Sequence, residues 1–374
     1  MKKPFAVLSS VVLTMSLALT GCGGNSAQTS GGGSQQAGSS DVKQVIRIVD
    51  GDEPGTLHPG KAEAMTETYP IEHMMEGLMT KTPEAKIVPG MAKEDPKVSA
   101  DGKTYTFTLR DGLKWSNGDP LTAHDFEYAW KYVINPATAS PYSYQMMFIQ
   151  GAEAYNTSTE KDAAKLKKLE DAVGVKALDD KTLEVKLVNP TPFFTDVLTQ
   201  ATFYPVDKKV QEANPKWADD PKTYVSNGPF KFTEWKHKQS MKMVKNENYY
   251  DKDKIKLDEI DWAIVQDENT VYQMYRSGQL DVAFPMPTEV TGKLLAAKDP
   301  TVIPQPNFGT YYYDVNLKSK DPKYKVLQNK NIRKALAMAI DRKTITEKNC
   351  TGWTKTGIRL CSLRLCRAKR QGIC

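Results

Sequence analysis

Alternation of apolar and polar side chains dominates residues 97–121. Three apolar residues are separated by threonines: Tyr105, Phe107 and Leu109. A period of two is typical of a β-strand that buries one face against a core. Turn sequences flank this strand at Asp101-Gly102 and at 117–120, which reads Asn-Gly-Asp-Pro. The segment therefore predicts a strand in an antiparallel sheet, with turns at both ends.

Helical and strand patterns are interspersed along the rest of the chain. Apolar residues recur at helical spacing from Ile71 to Leu78, after Thr122, and over residues 331–348. Thr122 can cap its helix, and Asp125 at the third position suits the positive end of the helix dipole. Further strands are expected at 42–49 and around 183–187. This mixture predicts an α/β or α+β fold with mixed sheets.

Charge and cysteine are distributed unevenly between the body and the C-terminal end. The formal net charge is +6, but residues 351–374 contain six basic residues and no acid, so residues 1–350 sum to zero. The body therefore has no positive excess for phosphates, which argues against a nucleic-acid partner. Four of the five cysteines lie in residues 350–374. Because composition changes so abruptly after Lys348, we expect residues 350–374 to be an out-of-frame tail that follows a frameshift near residue 350.

The N-terminus has the pattern of a lipoprotein signal. Two lysines precede a short apolar stretch, and Leu19-Thr20-Gly21-Cys22 follows it. An aliphatic residue and two small ones before a cysteine are typical of a signal peptide, here 1–21, whose cleavage leaves a diacylated Cys22. Residues 22–41 are rich in Gly and Ser and predict a flexible tether with a reach of about 20–25 Å. The alternative is an ordinary secretory signal with an incidental cysteine.

Catalytic and cofactor motifs do not occur in the sequence. It has no glycine-rich phosphate loop, paired-histidine metal motif or Gly-x-Ser-x-Gly elbow, and its four histidines are scattered. No nucleophile has an evident base beside it, so the chain is expected not to be an enzyme and to need no cofactor or metal. Tyrosines close to turns, as in Ser140-Pro141-Tyr142 and Tyr311-Tyr312-Tyr313, instead offer large amphipathic surfaces for ligands or for core packing.

Several segments, in order along the chain, resemble a known family. They are Pro89-Gly90-Met91-Ala92, Val98 to Arg110, Asp111 to Gly118, Leu121 to Phe126, Asn227-Gly228-Pro229-Phe230, Tyr275 to Asp281, Tyr311 to Asn316, and Ile332 to Arg342. Together they resemble the family 5 extracellular solute-binding proteins, over about Val42 to Lys348. Within that family, Ser140-Pro141-Tyr142 and the three consecutive tyrosines point to the oligopeptide binders.

The resemblance implies a periplasmic-binding-protein-like type II fold with an extra inserted lobe and mixed sheets. Lobe I is expected to be discontinuous, at 42–79 and 204–309, with lobe II inserted at 80–203. Lobe III is expected to begin at 310–349 and to be incomplete in this chain. The family also implies an extracytoplasmic, lipid-anchored monomer that delivers oligopeptides to ABC transporter permease subunits.

The resemblance also implies which residues hold the peptide. Glu63, Ala64 and Met65 are expected to pair with its main chain in the manner of an added β-strand. Tyr142 and Tyr312 are expected to form pockets or hydrogen bonds, Phe284 stands where a relative has a contacting tyrosine, and Asn227 is expected to be structural. With lobe III incomplete, we expect weaker peptide binding than in a full-length relative. The alternatives are a non-functional pseudogene product of the same family and a secreted hydrolase.

Overall fold

The computed structural model describes residues 42–303 and 312–345. In these ranges its strands are β1 Val45–Asp50, β2 Met79–Lys81, β3 Ile87–Pro89, β4 Lys97–Val98, β5 Thr104–Thr108, β6 Val175–Asp179, β7 Thr182–Lys186, β8 Phe230–Lys236, β9 Ser240–Lys245 and β10 Glu259–Ile264. Its α-helices are α1 Met65–Met74, α2 Ala123–Ile134, α3 Ala152–Asn156, α4 Ala163–Asp171, α5 Phe194–Val197, α6 Lys208–Ala213, α7 Glu268–Arg276, α8 Thr288–Ala296, α9 Lys330–Ala339 and α10 Arg342–Thr344. Short 3-10 turns lie between several of them.

Two four-stranded sheets organise the described chain. The first has the order β1-β10-β9-β8, in which β1 runs parallel to β10 and the other neighbours are antiparallel. The second has the order β4-β5-β7-β6 and is antiparallel throughout. The chain leaves the first sheet after β1, builds the second sheet, and returns at β8. The first sheet is therefore assembled from segments that are far apart in sequence.

The alternation in residues 97–121 produces the predicted strand. In β5, Tyr105 and Phe107 are buried while the threonines beside them are only partly covered. Gly102 makes the turn into this strand with φ +69°, a left-handed conformation that glycine adopts without a Cβ clash. The predicted turn at Asp101-Gly102 is thus confirmed, and it joins the antiparallel strands β4 and β5.

Two helix predictions need correction. The helix expected over Ile71 to Leu78 lies at Met65–Met74 instead. It begins earlier because the Glu67 carboxylate accepts the amide of Ala64 and satisfies the helix start, and it ends earlier because Met75 is extended. The single helix expected over 331–348 ends at Ala339 instead. A separate turn follows, in which Asp341 accepts the amide of Thr344. The last residues of the predicted helix lie outside the described ranges.

One continuous apolar core extends beneath both large sheets. Its largest fully buried side chains include Trp115, Trp130, Trp217, Tyr155 and Phe107. The Trp130 indole donates a hydrogen bond to the Phe203 carbonyl at 2.8 Å, so its one polar atom is satisfied inside the core. Within the described ranges, no helix is both long and apolar enough to cross a membrane.

Candidate functional site

An extended segment, Glu63-Ala64, directly precedes helix α1 and is fixed by two side chains. The Glu67 carboxylate accepts hydrogen bonds from the amides of Glu63 at 2.6 Å and Ala64 at 3.0 Å. The Tyr142 hydroxyl donates to the Glu63 carbonyl at 3.2 Å. Ala64 has φ −97° and ψ 154°, which is a strand conformation. These contacts fix the extended backbone of Ala64 at the start of α1.

Two main-chain groups here, the Glu63 carbonyl and the Met65 amide, can each accept or donate a further hydrogen bond. Met65 is the first residue of α1, so its amide has no partner inside the helix, and no acceptor for it occurs among the described residues. The Glu63 carbonyl has a second lone pair beyond the one that Tyr142 uses. When two strands pair in parallel, the amide and carbonyl of one residue bond the carbonyl of residue i and the amide of residue i+2 on the neighbouring strand. Glu63 and Met65 have this spacing, so they can pair with one residue of an added strand.

A cavity of about 250 Å³ lies beside the segment. Helix α1 contributes Met65, Thr68 and Glu72, which share one helix face at spacings of three and four. The remaining wall comes from other parts of the chain: Ala62, Glu63, Ala64, Lys81, Tyr142, Gln145, Thr199, Gln200, Ala201 and Thr202. The cavity lining thus combines hydroxyl, amide and charged groups with the apolar surface of side chains such as Met65.

A second cavity, of about 400 Å³, shares Glu72, Lys81 and Thr199 with the first. Glu76 belongs to its lining and is buried, and its carboxylate accepts a hydrogen bond from the Tyr249 hydroxyl at 3.0 Å. Burial raises the pKa of Glu76 to about 7, despite the opposing effect of this hydrogen bond. His73 also lines this cavity, and burial lowers its pKa. The second cavity therefore combines a proton-sensitive carboxyl with a neutral imidazole.

Asn227-Gly228 closes the other end of α1. The Asn227 side-chain oxygen accepts the amide of Glu76 at 3.2 Å, and its side-chain nitrogen donates to the Glu76 carbonyl at 2.8 Å. The Gly228 amide donates to the carbonyl of Met74, the last residue of the helix, at 2.8 Å. Asn227 is thus a buried structural residue, as expected, and this contact fixes the helix that presents the site.

The structure brings together only some of the residues that were predicted to contact the peptide. Glu63, Ala64, Met65 and Tyr142 line one cavity. Phe284 and Tyr312 are 53% and 66% exposed, and in the described ranges neither makes a hydrogen bond or ring contact with that group. Cys22 lies outside the described residues.

Sequence reasoning missed Glu67, Glu72 and Gln145. The sequence did offer an indication of Glu67, because an acidic residue three positions after the N-cap, here Ala64, is half of a capping box. Glu72 and Gln145 had none, since only the folded chain places them in one cavity. Across residues 42–303 and 312–345, no three His, Cys, Asp or Glu side chains converge as metal ligands.

Solved peptide-binding proteins have the same architecture. The crystal structure of Haemophilus influenzae OppA in complex with RPPGFSPFR matches with a TM-score of 0.74 and 32% identity, over 83% of this chain and 59% of that one. The predicted class, an α/β fold like that of the periplasmic binding proteins, is thereby confirmed. Residues 86–358 match the family model for bacterial extracellular solute-binding proteins, family 5 Middle. The chain belongs to this family.

Relatives of the chain include binders of two peptide classes. The oligopeptide-binding protein OppA of Bacillus subtilis is 42% identical over 359 residues, which are 94% of this chain and 62% of that protein. The dipeptide-binding protein DppE of the same organism is 40% identical over 90% of this chain and 59% of that protein. The chain therefore spans about three fifths of the length of these relatives.

Proposed function

We propose that the chain captures oligopeptides outside the cytoplasm for delivery to the permease subunits of an ABC transporter. One observation carries the proposal: the Glu63 carbonyl and the Met65 amide stand two residues apart, at the edge of a cavity, on a segment fixed by Glu67 and Tyr142. Main-chain pairing of this kind recognises a peptide regardless of its sequence. The oligopeptide-binding relative OppA supports this assignment, and the dipeptide-binding relative DppE supports peptide binding in general.

The role proposed for the site is binding without catalysis. Glu63, Ala64 and Met65 would pair with the peptide main chain, and Tyr142 would position Glu63 through its hydroxyl. We further propose that Phe284 and Tyr312, both exposed aromatic residues, contribute to peptide contact when ligand is bound. The protein would act as a monomer, since a single strand edge suffices to bind one peptide.

The lobe boundaries follow from the same proposal. Lobe I at 42–79 and 204–309 would contain the sheet β1-β10-β9-β8, and lobe II at 80–203 would contain the sheet β4-β5-β7-β6. Residues 310–349 would begin lobe III, which would cover the peptide from the other side. The segment Glu63-Ala64-Met65 would then belong to lobe I.

Calorimetric titration of the chain with a pool of peptides of three to five residues tests this function. We expect saturable heat with peptides and none with the same amino acids in free form, because a free amino acid cannot supply a continuous main-chain ladder. Absence of binding to any peptide at millimolar concentration would refute the proposal for this chain.

The proposed location rests on Cys22. We propose that this residue carries diacylglycerol and anchors the protein to the outer face of the cell membrane through the tether at 22–41. The variant Cys22→Ser should then appear in the soluble fraction, whereas the unaltered protein should be found with membranes. Cys22→Ser protein that stays with the membrane fraction would show that something other than this cysteine anchors the chain.

A further inference from the structure

Glu72 occupies a position shared by the two cavities beside the candidate strand. Met65, Thr68 and Glu72 lie along one face of α1, so a side chain that enters beside Met65 would meet Glu72 two turns further along the helix. Glu72 also lines the second cavity. A long side chain of a bound peptide, entering beside Met65, would therefore reach the Glu72 carboxylate.

The charge of Glu72 is not neutralised by a close partner. Among the described residues, its carboxylate makes no hydrogen bond and no ion pair. Lys81, the nearest cation that lines the cavities, is already paired with Asp196 at 3.2 Å between Nζ and Oδ1. The surrounding protein desolvates the carboxyl of Glu72 and raises its pKa, and the attraction of Lys81 opposes this rise; the residue as a whole is exposed. A carboxylate on a cavity wall that has no hydrogen bond or ion pair of its own can accept charge-assisted hydrogen bonds from a cation.

Lys81 is the only lysine or arginine among the residues that line the two cavities, and its attraction only partly offsets the rise in the pKa of Glu72. His73 donates its Nδ1 proton to the Tyr69 carbonyl at 2.8 Å and is kept neutral by burial. Glu63 and Glu76 each line one of the two cavities and are acidic. With Lys81 balanced by Asp196, the net charge around the cavities is negative.

We infer that Glu72 is the counter-ion for a lysine or arginine side chain of a bound peptide and sets a charge preference at this position. The inference rests on the proposed peptide-binding function. The apolar stem of such a side chain would lie against Ala62 and Met65, and its charged end would reach Glu72. Arginine fits best, because its planar guanidinium can donate two hydrogen bonds to one carboxylate. Glu72 would thus be a specificity residue, distinct from the main-chain contacts at Glu63 and Met65.

An arginine scan through an alanine pentapeptide tests the inference. Each arginine peptide is compared with its citrulline counterpart, which has the same shape and no charge. At one position the protein should bind the arginine peptide about tenfold more tightly than the citrulline peptide. Glu72→Gln should remove this preference. Glu94 is exposed and lies outside both cavities. Glu94→Gln removes the same charge as Glu72→Gln and should leave the arginine preference unchanged. A preference that survives in Glu72→Gln would overturn the inference.

A small probe separates this result from failure of the proposed function. Ligand-observed NMR compares n-butylguanidinium with neutral n-butylurea, neither of which has a peptide backbone. The unaltered chain should bind the cation in preference to the urea, and Glu72→Gln should bind both equally. If peptides fail to bind while the cation preference persists, the function is wrong and the Glu72 site stands. If peptides bind without any preference for arginine, or if the unaltered chain does not distinguish the two probes, the Glu72 site is wrong.

Discussion

Replacing Gly228 with alanine is expected to lower the free energy of unfolding by about 3 kcal/mol or more. A Cβ at this position would lie 2.7 Å from the carbonyl carbon of Met74 and 2.7 Å from the amide nitrogen of Met75. Both are backbone atoms at the end of α1, so no side chain can rotate away to relieve the clash. The Gly228 amide also bonds the Met74 carbonyl, and this contact would be displaced with it. Chemical denaturation followed by circular dichroism measures the loss.

Gly112→Ala provides the matched control. Gly112 has φ +70°, but an added Cβ would meet no atom within 4 Å. Only the backbone strain of a left-handed alanine applies there, at about 1–2 kcal/mol. If the two variants lose the same stability, close packing at the end of α1 is not what requires glycine at position 228.

Glu76→Gln is expected to change the pH dependence of stability. Burial raises the pKa of Glu76 from 4.5 to about 7 in the folded state. The folded protein therefore binds this proton more tightly than the unfolded chain. The resulting stability is present in full below pH 4.5 and is lost as pH rises to about 7. The shift corresponds to about 3 kcal/mol.

The comparison between variant and unaltered protein isolates Glu76 from other buried groups. His58 acts in the opposite direction, because burial lowers its pKa to about 4 and its contribution is lost as pH falls from 6.5. Denaturant titrations at pH 4.5, 6 and 8 should show Glu76→Gln gaining about 3 kcal/mol relative to the unaltered protein over this range. A stability difference that stays constant with pH would mean that folding does not raise the pKa of Glu76.

Local sequence patterns predicted the strands well and the helix starts less well. The alternation around Tyr105 and Phe107 defines β5 because burial of one sheet face leaves a period of two in the sequence. The start of α1 was misplaced because Ala64 is not a usual capping residue. Its cap comes instead from Glu67, within the helix. Similarly, Asp341 divides the predicted C-terminal helix by capping a new turn.

The candidate site was predictable only where the family resemblance indicated it. Glu63, Ala64, Met65 and Tyr142 came from that resemblance, and their local geometry fits the role. Nothing local in the sequence indicates that Glu72 and Gln145 line one cavity with Thr199, because this proximity arises from tertiary packing. The chemical character of a pocket therefore needed the folded chain.

A comparison of two variants at Met65 tests the central claim, that the segment Glu63-Ala64-Met65 binds a peptide main chain. Met65→Pro removes the amide that we expect to contact the peptide, while Met65→Ala keeps it. Proline is well tolerated at the first position of a helix, and Ala64 already has the extended conformation that a following proline requires. The Met65 side chain is exposed and is lost in both variants. Both variants should therefore keep the fold of the unaltered protein.

Calorimetric titration of both variants with one pentapeptide gives the decisive measurement. Loss of one net main-chain hydrogen bond, about 1 kcal/mol, predicts that Met65→Pro binds about fivefold more weakly than Met65→Ala. Melting temperatures within about 2 °C of each other would confirm that the fold is unchanged. Equal peptide affinity in the two variants, with both folded, would contradict the account.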